Sequence, residues 1–256
     1  MNNTHQADDY FADGFLWPNW PLPKRVKACI TTRLGGHSLP PYDEMNLALH
    51  VGDDPLQVLK NRNTLKERLN LPTEPAWLEQ VHGNQVVVVE KNTFPSRADA
   101  AISFESGRVC AVMVADCLPV LFCNQQATRV GVAHAGWRGL AAGIIENTVA
   151  ALNCAPAQLY AFLGPAIGAD AYRVGDEVRD AFISEHRRNA LCFLPDNCGA
   201  WMANLYQLAR LKLQRVGVTN ISGGSHCTYY NRKHFFSYRR DAKCGRMAAL
   251  IYLQAT

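Results

Sequence analysis

The sequence lacks any apolar run that approaches the roughly 18 residues of a transmembrane helix. Its first 13 residues are polar and acidic, without the apolar segment that a secretory signal carries. We therefore expect a cytoplasmic protein with no membrane partner.

Several familiar binding motifs are also missing. The nine cysteines include no CxxC pair, and their odd number argues against a disulfide framework. The net charge is only +4, without a long basic run, so nucleic acid is not an expected partner. No GxGxxG, Walker A, GxSxG or HExxH motif occurs, which argues against a dinucleotide or a P-loop nucleotide.

What is present is typical of a globular protein with a sizeable core. The chain has 256 residues, of which 48% are hydrophobic and 19% charged. We predict one domain over residues 1–256, in which the Pro-rich residues 1–24 form an extended N-terminal arm. Arginine outnumbers lysine, which permits an anionic ligand, although codon bias or surface ion pairs explain it equally well.

Short Val-rich segments and amphipathic segments define the expected elements. The predicted strands are 26–32, 85–90, 109–114, 118–123, 129–133, 160–163 and 247–253. The predicted helices are 54–69, 140–152, 176–188 and 205–216. Because the strands come in groups, the pattern favours an α+β fold over a Rossmann-type sheet.

Three segments place a ligand-type side chain at a strand end or beside a glycine. They are QVHG with His82, ADCLP with Cys117 and HAGWRG with His134. Two histidines and a thiolate would bind zinc through three protein ligands and leave a fourth position open, as in catalytic sites. Asp116 is then a candidate to orient one of the ligands through a hydrogen bond.

The long intervals between these residues match no local metal motif, so two other interpretations stay open. The histidines would cap turns and Cys117 would be a core residue, or Cys117 would be a nucleophile with His134 as its base. Arg62 on the first predicted helix is either a solvated arginine or an anion ligand. Arg138, in the Gly-rich turn after His134, suits an anion or a structural ion pair. The other six histidines show no grouping.

The chain resembles the laccase-domain family, labelled multicopper polyphenol oxidase and later purine nucleoside phosphorylase or peptidoglycan editing factor. The resemblance covers nearly the whole chain, in order. Its segments include QVHG (80–83), ADA (98–100), ADCLPVLF (115–122), HAGWRGL (134–140), LGPAIG (163–168), YRVGDEV (172–178) and FFSYRRD (235–241).

This resemblance implies layered mixed β-sheets flanked by helices, in a cysteine-hydrolase-like plan. It implies that His82, Cys117 and His134 are metal ligands and catalytic residues, with zinc as the metal rather than copper. It also implies that Arg62 lies near substrate or phosphate. A multicopper oxidase needs mononuclear and trinuclear copper centres, hence many histidines, mostly in HxH pairs. The chain has eight histidines and no such pair, so we do not expect polyphenol oxidase activity.

Three functions are consistent with these observations. The resemblance implies a zinc-dependent purine nucleoside phosphorylase acting on adenosine, inosine and methylthioadenosine, with adenosine deaminase activity as a companion. The alternative is a hydrolase that uses Cys117 and His134 to edit UDP-muramyl amino acid precursors of peptidoglycan. A binding module that uses zinc only to organise its site is a third possibility.

Overall fold

The computed structural model describes residues 9–91 and 94–255. Its strands, in chain order, are β1 (Tyr10–Ala12), β2 (Phe15–Trp17), β3 (Val26–Thr31), β4 (Leu78–Glu79), β5 (Val86–Val88), β6 (Ser96–Arg97), β7 (Ala100–Ser103), β8 (Cys110–Val114), β9 (Leu118–Asn124), β10 (Val130–Ala135), β11 (Leu159–Leu163), β12 (Arg173–Val174), β13 (Phe193–Pro195), β14 (Trp201–Ala203), β15 (Asn220–Gly223) and β16 (Met247–Leu253). Its α-helices are α1 (Pro55–Arg68), α2 (Trp137–Ala141), α3 (Ile144–Ala151), α4 (Asp176–Glu185), α5 (Leu205–Arg215) and α6 (Tyr238–Asp241). Short 3₁₀ turns lie at Val89–Lys91, Pro156–Gln158 and Arg187–Cys192.

Two large sheets carry the fold. The first is antiparallel, in the order β1-β2-β3-β16-β8, and the second is mixed, in the order β15-β11-β9-β10-β7-β5. Two smaller sheets, β12-β14-β13 and β4-β6, lie outside them. The predicted α+β class with mixed sheets is confirmed.

The apolar side chains form layers. One core contains residues of both large sheets, such as Ile30 of the first and Phe162 of the second. A second core joins the second sheet to α3, α4 and α5, and a third joins the first sheet to α1 through Leu65. The strands β8, β9 and β10 are buried throughout, because side chains on both faces of these strands lie in a core. This double burial explains why their sequences are continuous apolar runs.

One predicted helix is two helices. The sequence predicts 140–152 as continuous, but α2 ends at Ala141 and α3 begins at Ile144. Gly143 between them has φ +92°, a left-handed conformation that a helix interior does not allow. The prediction of 176–188 is likewise too long, because the α-helix ends at Glu185.

The N-terminal arm is not simply extended. Residues 1–8 of the predicted arm lie outside the described residues. The strands β1 and β2 form a hairpin at the edge of the first sheet. Within the described ranges, no helix is long and apolar enough to cross a membrane.

Candidate metal centre

Cys117 and His134 meet where the two large sheets join. Cys117 lies in the short connection from β8 of the first sheet to β9 of the second. His134 is near the end of β10, which pairs antiparallel with β9, and its register partner is Pro119. This register places the end of one strand beside the beginning of the other, which brings His134 next to Cys117.

Asp99 brings His82 to the same place. Asp99 precedes β7, and its backbone carbonyl accepts from His134 N at 2.7 Å. Its carboxylate accepts backbone N–H groups of Val81, His82 and Gly83 at 3.2, 2.9 and 2.7 Å. His82 has φ +60°, so the loop that carries it makes a left-handed turn around this carboxylate.

The ligand atoms of His82, Cys117 and His134 all lie within 4.8 Å of one another. Cys117 Sγ is 3.9 Å from His82 Nε2. Zinc bonds of 2.0–2.3 Å in a tetrahedron place two ligand atoms about 3.5 Å apart. The cluster is therefore slightly wider than a closed zinc site.

The donor chemistry fits zinc. Asp99 Oδ1 accepts from His134 Nδ1 at 2.8 Å, which leaves Nε2 of that ring for a metal. His134 is buried, Cys117 is half-buried and His82 is exposed, so the three donors form a site that opens to solvent on one side. Two imidazole nitrogens and one thiolate are a donor set that zinc accepts with a fourth position free.

The electrostatics favour a thiolate beside an imidazolium. Burial raises the pKa of Cys117, but His134 and hydrogen bonds from both histidines outweigh it and lower the pKa to about 6. Burial lowers the pKa of His134, but Cys117 and Asp99 raise it to about 9. Burial also opposes ionisation of Asp99, whose pKa is nevertheless lowered by hydrogen bonds from His134 and the backbone.

Two glycines of the HAGWRG segment allow this close packing. A Cβ on Gly136 would lie 2.9 Å from Cys117 Sγ and 3.2 Å from His82 Cδ2. A Cβ on Gly139 would lie 2.6 Å from the carbonyl oxygen of Gly83. Any side chain at these positions would therefore displace a ligand or its loop.

The three ligands line one end of a cavity of about 450 Å³, a volume within the range of small-molecule sites. Besides the ligands, its polar lining includes His50, Gln80, Tyr238 and Arg246. The Gln80 side chain is held by the backbone of Met113, at 2.9 and 2.7 Å. His50, which the sequence analysis left ungrouped, also lines this cavity.

Arg62 lies outside the lining of this cavity. Its Nε and one terminal nitrogen donate to the Leu47 carbonyl at 3.0 and 2.8 Å, and its guanidinium stacks 4.2 Å from the Trp77 ring. Burial lowers its pKa to about 10. Burial also lowers the pKa of His50, and the charges of Arg246 and Arg62 lower it further.

Asp116 does not orient a ligand. Its carboxylate accepts from the Thr228 hydroxyl at 2.6 Å and from the Arg239 N–H at 2.7 Å. These hydrogen bonds link the β8–β9 connection, which contains Cys117, to the segment around α6. The carboxylate that contacts His134 and the backbone of His82 is that of Asp99. The sequence analysis did not single out this residue, although it lies in the ADA segment (98–100).

Arg138 is exposed and also lies outside the cavity. Its guanidinium is 4.4 Å from the centroid of the Trp137 ring. Both residues line a separate surface groove, described below, together with Tyr172 and Arg239.

The family model described as multi-copper polyphenol oxidoreductase laccase matches residues 27–254. The chain is 52% identical over 237 residues to a protein of Escherichia coli (strain K12) named purine nucleoside phosphorylase YfiH, which covers 92% of this chain and 97% of that one. It is 50% identical over 246 residues to purine nucleoside phosphorylase PA4543 of Pseudomonas aeruginosa, covering 94% and 99% of the two chains.

Solved structures share the fold. The Neisseria meningitidis protein NMB0706 superposes with a TM-score of 0.91 at 47% identity, over 95% of this chain and 100% of that one. YlmD from Geobacillus stearothermophilus gives a TM-score of 0.90 at 34% identity, over 97% and 100%.

Proposed function

This chain belongs to the multi-copper polyphenol oxidoreductase laccase family, whose model matches residues 27–254, and from that premise we propose that it is a zinc-dependent purine nucleoside phosphorylase. The observation that carries the proposal is the convergence of His82, Cys117 and His134 at one end of a nucleoside-sized cavity. The proposed substrates are inosine, adenosine and methylthioadenosine, with orthophosphate as co-substrate. Two relatives are named purine nucleoside phosphorylase, which supports a purine nucleoside as substrate.

Zinc is the proposed metal, and His82, Cys117 and His134 are its proposed ligands. When bound, zinc would supply a Lewis acid in the cavity. Asp99 would keep Nδ1 of His134 protonated and its ring in place, and its bonds to the 81–83 backbone would hold His82 in register. Cys117 would contribute a thiolate, which is the form that binds metal.

Phosphorolysis breaks the bond between C1′ and the purine nitrogen and forms a bond between C1′ and a phosphate oxygen. It therefore needs positive charge that holds phosphate against C1′. We assign this role to the part of the cavity lined by His50 and Arg246, with Arg62 nearby, because both guanidinium charges act on His50. The bonds of Arg62 to Leu47 use Nε and one terminal nitrogen, which leaves its other terminal nitrogen for an anion.

Adenosine deamination is the proposed companion activity. It replaces the amino group of the base by oxygen from water and releases ammonia. Adenosine is a substrate of both reactions, so one cavity would serve both. Without phosphate, adenosine should yield inosine, and with phosphate it should also yield free base.

The test follows release of hypoxanthine from inosine by zinc-loaded protein, with and without phosphate. We expect release only with phosphate, loss in Cys117→Ala and retention in Cys198→Ala, because Cys198 is an exposed cysteine outside the centre. If zinc-loaded protein with phosphate releases no base from inosine or adenosine, the proposed function is wrong.

A second function is favoured by one arrangement in the same site. Cys117 is hydrogen-bonded to His134, and His134 is oriented by Asp99, which is the order of nucleophile, base and carboxylate in thiol hydrolases. In this case the chain would cleave UDP-muramyl precursors of peptidoglycan that carry a wrong amino acid. Such activity should survive a chelator and be lost in Cys117→Ala. Cleavage by Cys117→Ala rules out the nucleophile.

A further inference from the structure

A surface groove of about 330 Å³ lies beside the metal cavity. We call it the arginine groove, and define it by Trp137, Arg138, Tyr172, Arg173 and Arg239. It combines two aromatic rings with three guanidinium groups. Such a set suits a ligand with a planar part or a phosphoryl group, because arginine binds phosphate through a planar fork of donors.

Two of these guanidiniums are held in place without an acidic partner. The Arg239 side chain donates to the Arg173 carbonyl at 2.8 Å and lies 5.3 Å from the centroid of the Tyr172 ring. Arg138 is stacked on Trp137. Among residues 9–91 and 94–255, neither Arg138 nor Arg239 forms an ion pair. Most of their N–H donors therefore remain for a ligand.

The acidic residues nearby do not cancel this charge. Glu177 is the one carboxylate in the lining, against three arginines. Asp196 pairs with Arg173 from outside the lining. The groove therefore carries a net positive charge, which comes from Arg138 and Arg239.

The arginine groove and the metal cavity are lined by consecutive residues of α6. Tyr238 lines the cavity and the next residue, Arg239, lines the groove. On the other side, the Arg239 backbone N–H donates to Asp116, the neighbour of the ligand Cys117. Consecutive Cα atoms are about 3.8 Å apart. The cavity and the groove therefore approach one another closely at residues 238–239.

We propose that the arginine groove binds a phosphoryl group beside the metal centre, held by Arg138 and Arg239. The carrier is a purine nucleotide whose nucleoside part occupies the cavity, or the group is free orthophosphate. The choice of a purine rests on the proposed function. The groove itself is separate from the part of the cavity lined by His50 and Arg246, to which we assign the co-substrate phosphate.

The test is calorimetric titration of zinc-loaded protein with inosine, inosine 5′-monophosphate and orthophosphate, in phosphate-free buffer where no phosphorolysis occurs. We expect the nucleotide to bind at least about tenfold more tightly than inosine, because charged hydrogen bonds are each worth about that factor. Arg138→Gln combined with Arg239→Gln should bring the affinity ratio close to one. The Arg187→Gln control removes an exposed positive charge outside both sites and should keep the ratio. Replacement of both groove arginines by lysine should restore part of it.

Each outcome decides the matter. Equal affinities for nucleotide and inosine, with no orthophosphate binding that depends on Arg138 and Arg239, overturn the proposal. A nucleotide preference that survives the double variant also overturns it. Orthophosphate binding that the double variant abolishes supports the phosphoryl site and identifies the free anion as the source. If the nucleotide binds through both arginines but inosine is never cleaved, the groove stands and the phosphorylase assignment falls.

Discussion

Asp99 connects the two histidines of the metal centre, since its carboxylate accepts both the His134 ring N–H and the backbone N–H groups of residues 81–83. Asp99 is completely buried and lies in none of the three segments that carry the candidate ligands. A carboxylate in this position fixes the ring tautomer that presents Nε2 to a metal. The residues alone offered His82, Cys117 and His134 as candidate ligands, because each lies beside a strand end or a glycine, and the family resemblance favoured that interpretation over the others. Asp99 was missed because its role depends on the pairing of β7 with β10.

Asp99→Asn should weaken zinc binding by about 10- to 100-fold, because a neutral amide holds the Nδ1 proton less firmly and makes Nε2 of His134 a weaker donor to the metal. The measurement is zinc affinity by competition with a chromophoric chelator. Asp54→Asn, which retains a side-chain oxygen to cap α1, is the control and should bind zinc normally. Unchanged zinc affinity in Asp99→Asn would refute the role assigned to Asp99.

Gly136→Ala should lower zinc occupancy and activity at least about tenfold, because its Cβ would lie 2.9 Å from Cys117 Sγ and must push the thiolate aside. The φ of Gly136 is −61°, so alanine is not strained there and the effect is confined to contact with the ligands. Gly83→Ala is the matched control in the same site, since its Cβ would meet its nearest neighbours at 3.5 Å. Equal activity of the two variants would count against this packing.

The elements that surround the centre show which parts of the fold a sequence specifies. Strands β8, β9, β10 and β16 were predicted nearly to their ends, because burial on both faces gives continuous apolar runs. Nine of the described strands were missed, and all of them have only two to four residues, too few to show a pattern of their own: β1, β2, β4, β6, β7, β12, β13, β14 and β15. The break between α2 and α3 depends on one backbone conformation, at Gly143.

Gly143→Ala should lower the free energy of unfolding by about 1–2 kcal/mol, the cost of a left-handed conformation for a residue with a side chain. Its Cβ would meet only Glu146 Oε2, at 3.7 Å, so no clash adds to this cost. Denaturant titration measures the change, and zinc binding should be retained. A gain in stability would instead mean that residues 140–152 prefer one continuous helix.

At the scale of the whole molecule, the candidate metal centre lies where the two large sheets join. Cys117 lies in the connection between them, and His134 and the Asp99 segment belong to the second. The sequence predicted the ligands and the α+β class but not this junction. Sheet order and register follow from long-range pairing, which composition does not encode.

Binding of zinc at this junction should therefore stabilise the folded protein. Binding to the native state alone adds about 2.7 kcal/mol at a free zinc concentration of 100 Kd, which raises Tm by several degrees in a protein of this size. Scanning calorimetry with zinc and with chelator should show this difference in the wild type. The exposed-histidine variant His186→Ala should show it too, whereas His82→Ala should not. A Tm that is indifferent to chelator would contradict the ligand assignment.

The central claim is tested most directly by mass-spectrometric metal content of wild type and His82→Ala, with phosphate-dependent inosine turnover measured on the same samples. The account predicts near-stoichiometric zinc and hypoxanthine release in the wild type, and loss of both together in His82→Ala. Full turnover in zinc-free protein, or zinc retained at full occupancy in His82→Ala, would contradict it.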